Sequence, residues 1–181
     1  YKVTGVQTCA LPISPEFQRL RQLKQLGATY FVFPSATHTR FEHSLGVSYL
    51  AGKLMETLQK NQPRLKITPK EIEITRIAGL IHDLGHGPFS HLYDNYIRNS
   101  FEDKHEIRGC KLFINMVKKY KIPLTERDVA QICLMINPDD DRKKFWPYQI
   151  IANKMCQIDV DKLDYIRRDC YHLGIEMTDT F

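Results

Sequence analysis

From Pro15 onward apolar side chains return about once per helical turn in one stretch after another, and a chain patterned on that period builds a helical core. Phe41, Leu45, Leu50, Leu54 and Leu58 predict a long helix that ends before Pro63. Thr68-Pro69-Lys70-Glu71 carries the N-cap threonine, N1 proline and N3 glutamate of a capping box, and Ile77, Leu80, Ile81 and Leu84 provide the buried face of the helix that follows. That helix is expected to stop at Gly85. Phe17, Leu20, Leu23 and Leu26 predict a short amphipathic helix with Gly27 as its C-cap. Residues 29–33 are aromatic and β-branched, which predicts at most a short strand or extended loop before Pro34. Further helices are expected over about 104–120, from Thr125 with Asp128 three residues on, and over about 160–170, with residues 138–147 as a surface loop. There is no internal repeat and no interior linker, so residues 15–181 read as one all-α domain, incomplete at both ends.

Composition narrows the function classes. With 181 residues, 43% of them hydrophobic and 26% charged, the chain is sized for one globular core. The net charge of +5 suits a phosphate-bearing ligand but falls short of a nucleic-acid-binding tail. No apolar run approaches the roughly 18–20 residues of a membrane span, so a soluble protein is expected. Five cysteines without a C-x-x-C pair read as free thiols of a reducing compartment, an intracellular protein of nucleus or cytoplasm. Residues 1–14 have neither helical nor alternating period and no signal-peptide pattern; they look like a translated sequencing adaptor, and we expect them to be an assembly scar preceding the native domain.

The chemistry gathers on histidine. His43, His82, His86, His91 and His105 each lie near acids or glycines, whereas His38 and His172 fall outside that pattern. His82 and Asp83 close the well-patterned helix, where neighbouring side chains differ by about 100° in direction and both reach an ion placed between them. An imidazole and a carboxylate together suit Zn, Fe or Mn. Two further ligands are needed; His43 and one acid from the segment 158–165 are the candidates. A His-Asp dipeptide alone is ordinarily a hydrogen-bonded surface pair, but Gly85, Gly87 and Pro88 break the helix directly after it and let backbone approach a ligand. Asp161, Tyr165 and Asp169 lie four apart on one helical face, which without the histidines would be a solvated stripe. Arg40 and Lys162, taken singly, read as surface charges.

Four segments in series carry a resemblance. Phe17-Gln18-Arg19-Leu20-Arg21, Arg40-Phe41-Glu42-His43-Ser44-Leu45-Gly46, His82-Asp83-Leu84-Gly85-His86-Gly87-Pro88-Phe89-Ser90-His91 and Ile158-Asp159-Val160-Asp161-Lys162-Leu163-Asp164-Tyr165 resemble the HD-domain deoxynucleoside triphosphate triphosphohydrolases, above all the animal-type branch that joins a SAM domain to an HD domain. The resemblance implies an HD-domain helical bundle with a divalent metal (Zn, Fe, Mn or Mg) held by His43, His82, Asp83 and Asp161, leaving Asp159 aside. It places His86, His91 and His105 against the reacting phosphate, with Asp94 orienting them. It gives Arg40, Lys162 and Tyr165 to the triphosphate, Gln25 and Asp169 to the sugar 3′-hydroxyl and Leu26 to the sugar pocket, where close packing would disfavour ribose. The implied reaction is metal-dependent hydrolysis of a deoxynucleoside triphosphate to deoxynucleoside and inorganic triphosphate, with His91 as proton donor.

The pattern departs at both ends. The family acid that reads an activating guanine nucleotide aligns near Ile13, inside the expected scar, although Gln18 and Arg21 match its neighbours. After Phe181 the family continues with further nucleotide contacts and with the homotetramer interface, so this piece is expected to be poorly active and mostly not tetrameric. Two competing readings remain: another HD phosphohydrolase acting on cyclic or signalling nucleotides, and a metal-bearing module that binds nucleotides or single-stranded nucleic acid without turnover.

Overall fold

The computed structural model describes residues 10–90, 93–98 and 104–177. Five long helices form the body: α1 (Arg40–Asn61), α2 (Pro69–Ile81), α3 (His105–Lys119), α4 (Glu126–Ile136) and α5 (Val160–Leu173). Among the described residues the only β-pairing is an isolated antiparallel bridge between Lys24 and Thr39. No helix among them is long and apolar enough to cross a membrane.

Local chemistry sets the helix starts. Thr68 and Glu71 exchange caps at α2, with the Glu71 N–H donating to Thr68 Oγ1 at 3.2 Å and the Thr68 N–H to Glu71 Oε2 at 2.7 Å. Thr125 and Asp128 do the same at α4, at 2.9 and 3.1 Å. Asp159 caps α5 by accepting from the Lys162 N–H at 2.9 Å, and Gly174, at φ +67°, ends it three residues later than its periodicity suggested.

Two expectations fail in the N-terminal third. The periodic stretch after Pro15 is not one helix: a single turn, Pro15–Gln18, passes into a 3₁₀ turn, Arg19–Gln22, and then runs extended. Leu23 accepts from the Arg40 N–H at 2.9 Å and the Gln25 N–H donates to His38 at 3.0 Å, so pairing with a distant segment takes the backbone groups a helix would have used. Gly27, at φ +57°, opens a second 3₁₀ turn, Gly27–Phe31, running into residues 29–33, which read at most as a short strand or extended loop; the Thr29 hydroxyl bonds back to the Leu26 carbonyl at 2.8 Å and supports the turn. Leu11, inside the segment read as foreign, is fully buried, and Ser14 caps the turn at Pro15–Gln18.

The core runs through all five helices, with Phe17, Leu20, Val47, Met55, Ile81, Phe113, Met116, Ile132 and Met135 buried in it. Two close approaches aim the functional residues. A Cβ at Gly79 would come 3.2 Å from the Ser48 backbone, so the last turn of α2 crosses closely over the third turn of α1, and His82 comes within 3.2 Å of His43. A Cβ at Gly85 would fall on the His105 carbonyl, so the chain leaving α2 lies against the first turn of α3.

Candidate metal centre

α1 brings His43, α2 ends at Ile81, four residues before the expected stop at Gly85, so that His82 caps it and Asp83 follows in a turn, and the first turn of α5 brings Asp161. His43 Nε2 lies 2.9 Å from Asp161 Oδ1 and 3.2 Å from His82 Nε2, while His82 Nε2 is 3.4 Å from both Asp161 Oδ1 and Asp83 Oδ1. Asp83 Oδ2 is 3.6 Å from His43 Nε2. Both imidazoles are turned by a partner on the other nitrogen. His43 Nδ1 donates to Asp164 Oδ2 at 2.8 Å, and His82 Nδ1 to the Gly79 carbonyl at 2.7 Å. With Nδ1 donating in both rings, Nε2 is the lone-pair nitrogen of each ring whenever that ring is neutral, and both Nε2 atoms face the same acids, so a cation can take the place that a proton fills between His43 and Asp161. His43, His82 and Asp161 offer donor atoms all within 4.8 Å of one another, and with Asp83 they form a nitrogen and oxygen set suited to a borderline divalent ion.

The electrostatics agree. Burial alone would lower the His43 pKa, yet its bonds to Asp161 and Asp164 and the charge of Asp83 raise it to about 9, so this pocket attracts positive charge strongly. Burial would raise Asp83, but Arg40, His82 and His86 hold it well below the carboxylate range. Arg40 is buried, with its guanidinium 2.6 Å from Asp83 Oδ2 and donating to Ser90 Oγ at 2.8 Å; it is no surface charge. Asp159 stands apart from the cluster because its two oxygens serve the Lys162 N–H and the Asn153 N–H, each at 2.9 Å.

This cluster forms one wall of a cavity of about 650 Å³. Arg40, Lys162 and Tyr165 line it, as do Gln25, Leu26 and Asp169 and the histidines His86 and His105. His86 Nε2 donates to Asp83 Oδ1 at 3.2 Å, and burial, partly opposed by Asp83, lowers its pKa to about 4, which leaves it neutral near pH 7. Its ring stacks on His105 with centroids 3.9 Å apart. His105 Nδ1 donates to Asp94 Oδ2 at 2.9 Å, and Asp94, beneath the cavity wall, also pairs with Arg108. Arg108 Nε donates to the Gly85 carbonyl at 3.0 Å, and Arg19 donates to the Leu84 and His86 carbonyls at 2.6 and 2.8 Å, pinning the glycine-rich break.

Of the residues singled out in the sequence, Gln18 and Arg21 lie away from the cavity and bond to each other at 2.8 Å, with Arg21 over the Phe41 ring. His91 lies outside the described residues. Sequence reasoning passed over Arg19, Arg108 and His38, and it named Asp164 only within its segment. Asp164 sits three residues after Asp161 and Arg108 three after His105, so helical spacing from a nominated residue was the available signal.

Comparison with known proteins bears on the whole arrangement. The chain is 46% identical to the deoxynucleoside triphosphate triphosphohydrolase SAMHD1 of Gallus gallus over 90% of this chain and 31% of that protein. It is 42% identical to the Homo sapiens protein of the same name, over 90% and 30%, and 43% identical to the SAMHD1 homolog of Dictyostelium discoideum, over 88% and 32%. The chain thus spans about a third of the length of these curated relatives. Residues 40–168, the stretch that contains His43, His82, Asp83 and Asp161, match the HD domain, and because that match takes in most of the sequence, the chain belongs to the HD-domain family.

Proposed function

We propose that the intact protein hydrolyses deoxynucleoside triphosphates to deoxynucleoside and inorganic triphosphate, with a divalent cation held by His43, His82, Asp83 and Asp161. The supporting observation is that a donor set arranged for a cation, three basic side chains (Arg40, Lys154 and Lys162) and two histidines, His86 and His105, all line one cavity. The relatives named as deoxynucleoside triphosphate triphosphohydrolases support the same substrate class. When bound, the cation would act as a Lewis acid toward a phosphoryl oxygen and favour ionisation of water near neutral pH.

The protein's own residues supply the rest. Asp164 and the Gly79 carbonyl keep the two ligand imidazoles in the donor tautomer. Lys162 and Tyr165 receive the triphosphate and, with Arg40, offset its charge, since positioning and electrostatics are most of what phosphoryl transfer needs. Arg40 also anchors Asp83, so it ties the anion subsite to the ligand set. Water attacks the α-phosphorus, the bond to the 5′-oxygen breaks, and a histidine protonates that oxygen; we assign the proton to His91, with His86 and His105 on the phosphate and Asp94 holding His105. Gln25 and Asp169 face the 3′-hydroxyl, and Leu26 packs against the deoxyribose. Gln18 and Arg21 we assign to an activating guanine nucleotide of a homotetramer.

The test uses the full-length protein in ¹⁸O-water with each deoxynucleoside and ribonucleoside triphosphate. Release of inorganic triphosphate carrying the label, from deoxyribonucleotides only, is expected. Mono- or diphosphate products, or label in the nucleoside, would overturn the reading.

A further inference from the structure

His38 was set aside in the sequence because no acid or glycine motif surrounds it, yet its ring is fully buried and its bonds reach two residues of the cavity wall. Its main-chain carbonyl accepts the Gln25 N–H at 3.0 Å. Its Nε2–H donates to Asp169 Oδ1 at 2.6 Å. Gln25 and Asp169 both line the cavity, and the Gln25 side-chain oxygen is buried with no hydrogen-bond partner among the described residues. The ring of His38 stacks on His172 at 4.2 Å and 16°. The Ser35 hydroxyl donates to the His172 carbonyl and the Ser35 carbonyl accepts from His172 Nδ1 at 3.1 Å, so the strap over residues 35–38 is tied to the last turn of α5.

We propose that His38 is a positioning residue: it holds Gln25 and Asp169 in register as a paired reader of the substrate's 3′-hydroxyl, and it thereby sets the preference for a sugar on which that hydroxyl is free. The inference rests on the deoxynucleotide reading above. With Oδ1 committed to His38, Asp169 keeps its other oxygen for a ligand hydroxyl, and the Gln25 amide lines the same cavity with its side-chain oxygen still unpartnered among the described residues. A half-buried polar pair of this kind rejects a substrate that lacks its partner, because covering the pair then leaves it unsatisfied. Removing the donor at His38 frees the carboxylate to turn, and the reader loses its aim before any group that touches the phosphates is disturbed.

The experiment compares a deoxynucleoside triphosphate with its 2′,3′-dideoxy counterpart on the full-length protein, as a ratio of kcat/KM. His38→Phe keeps the bulk and the stack on His172 but removes the donor; the ratio should fall about tenfold, through the deoxy substrate alone. His38→Gln restores a donor and should recover most of the ratio. In an Asp169→Asn background, His38→Phe should change the ratio little further, because His38 acts through Asp169. An unchanged ratio in His38→Phe, an equal loss on both substrates, or full additivity with Asp169→Asn would overturn the positioning role while leaving the hydrolase reading intact. Absence of deoxynucleotide turnover in the unaltered protein would remove both.

Discussion

Two pairs of histidines face the same cavity, and they are built in opposite ways. His43 and His82 meet edge to face, 76° between ring planes, each pinned through Nδ1 so that both Nε2 atoms point at one spot beside Asp161 and Asp83. His86 and His105 lie nearly parallel, 21° apart; His86 bonds to Asp83, and His105 bonds to Asp94, which is shared with Arg108. The first pair concentrates lone pairs and negative charge where a cation fits. The second spreads its polar atoms along a wall, and its buried member stays uncharged near pH 7. On this contrast we assign the first pair to a cation and the second to the proton or the phosphate, according to what holds each second nitrogen.

The widest separation between the pairs is expected on deletion. His82→Ala in the full-length protein should lose its bound divalent metal and essentially all turnover, whereas His105→Ala should keep the metal and lose about 10²–10⁴-fold in kcat. Metal content by elemental analysis, beside kinetics, checks both; a metal-replete His82→Ala or a metal-free His105→Ala would erase the division. Next comes the support behind the first pair. Asp164→Ala removes the acceptor that fixes the His43 tautomer and the partner of Arg168, and it should weaken metal affinity about 10–100-fold in chelator competition.

The smallest effect concerns the second pair. Burial would raise the Asp94 pKa, but hydrogen bonds from Arg108 and His105 outweigh it and hold the carboxyl below its ordinary value. A carboxylate with a depressed folded pKa contributes its stability in full above the unfolded value of about 4 and loses it as pH falls through the folded value. Asp94→Asn should therefore melt about 2–4 °C below the unaltered protein at pH 7, and the difference should close as the pH falls through the lowered folded value. A gap that persists into acid would mean that the loss came from packing.

The legible parts of the molecule are those decided within a few residues. Thr68 with Glu71 and Thr125 with Asp128 start helices through bonds to their own first turns, and both starts are readable in the chain. The run from His82 through Gly85 to His86 announces a site because ligand types and a backbone break adjoin. The stretch after Pro15 misleads because residues 38–40 take its backbone hydrogen bonds from elsewhere in the chain. Arg40 misleads too: a lone arginine reads as solvated, and only Asp83, 43 residues away, together with Ser90, makes it a buried anchor.

Residue chemistry and periodicity settled the helical class, the two ligand types at the end of α2 and a single segment that had to supply the missing acid, because helical period, capping and adjacency act over one or two turns. Which carboxylate faces the two histidines and which nitrogen each imidazole turns toward it were settled by packing. Asp159 is spent on capping α5, Asp161 is left to face the histidines, and Asp164 reaches across 121 residues to fix the His43 tautomer. A tautomer is chosen by whatever accepts the other proton, and for His43 that acceptor belongs to a helix that meets α1 only when the core has closed.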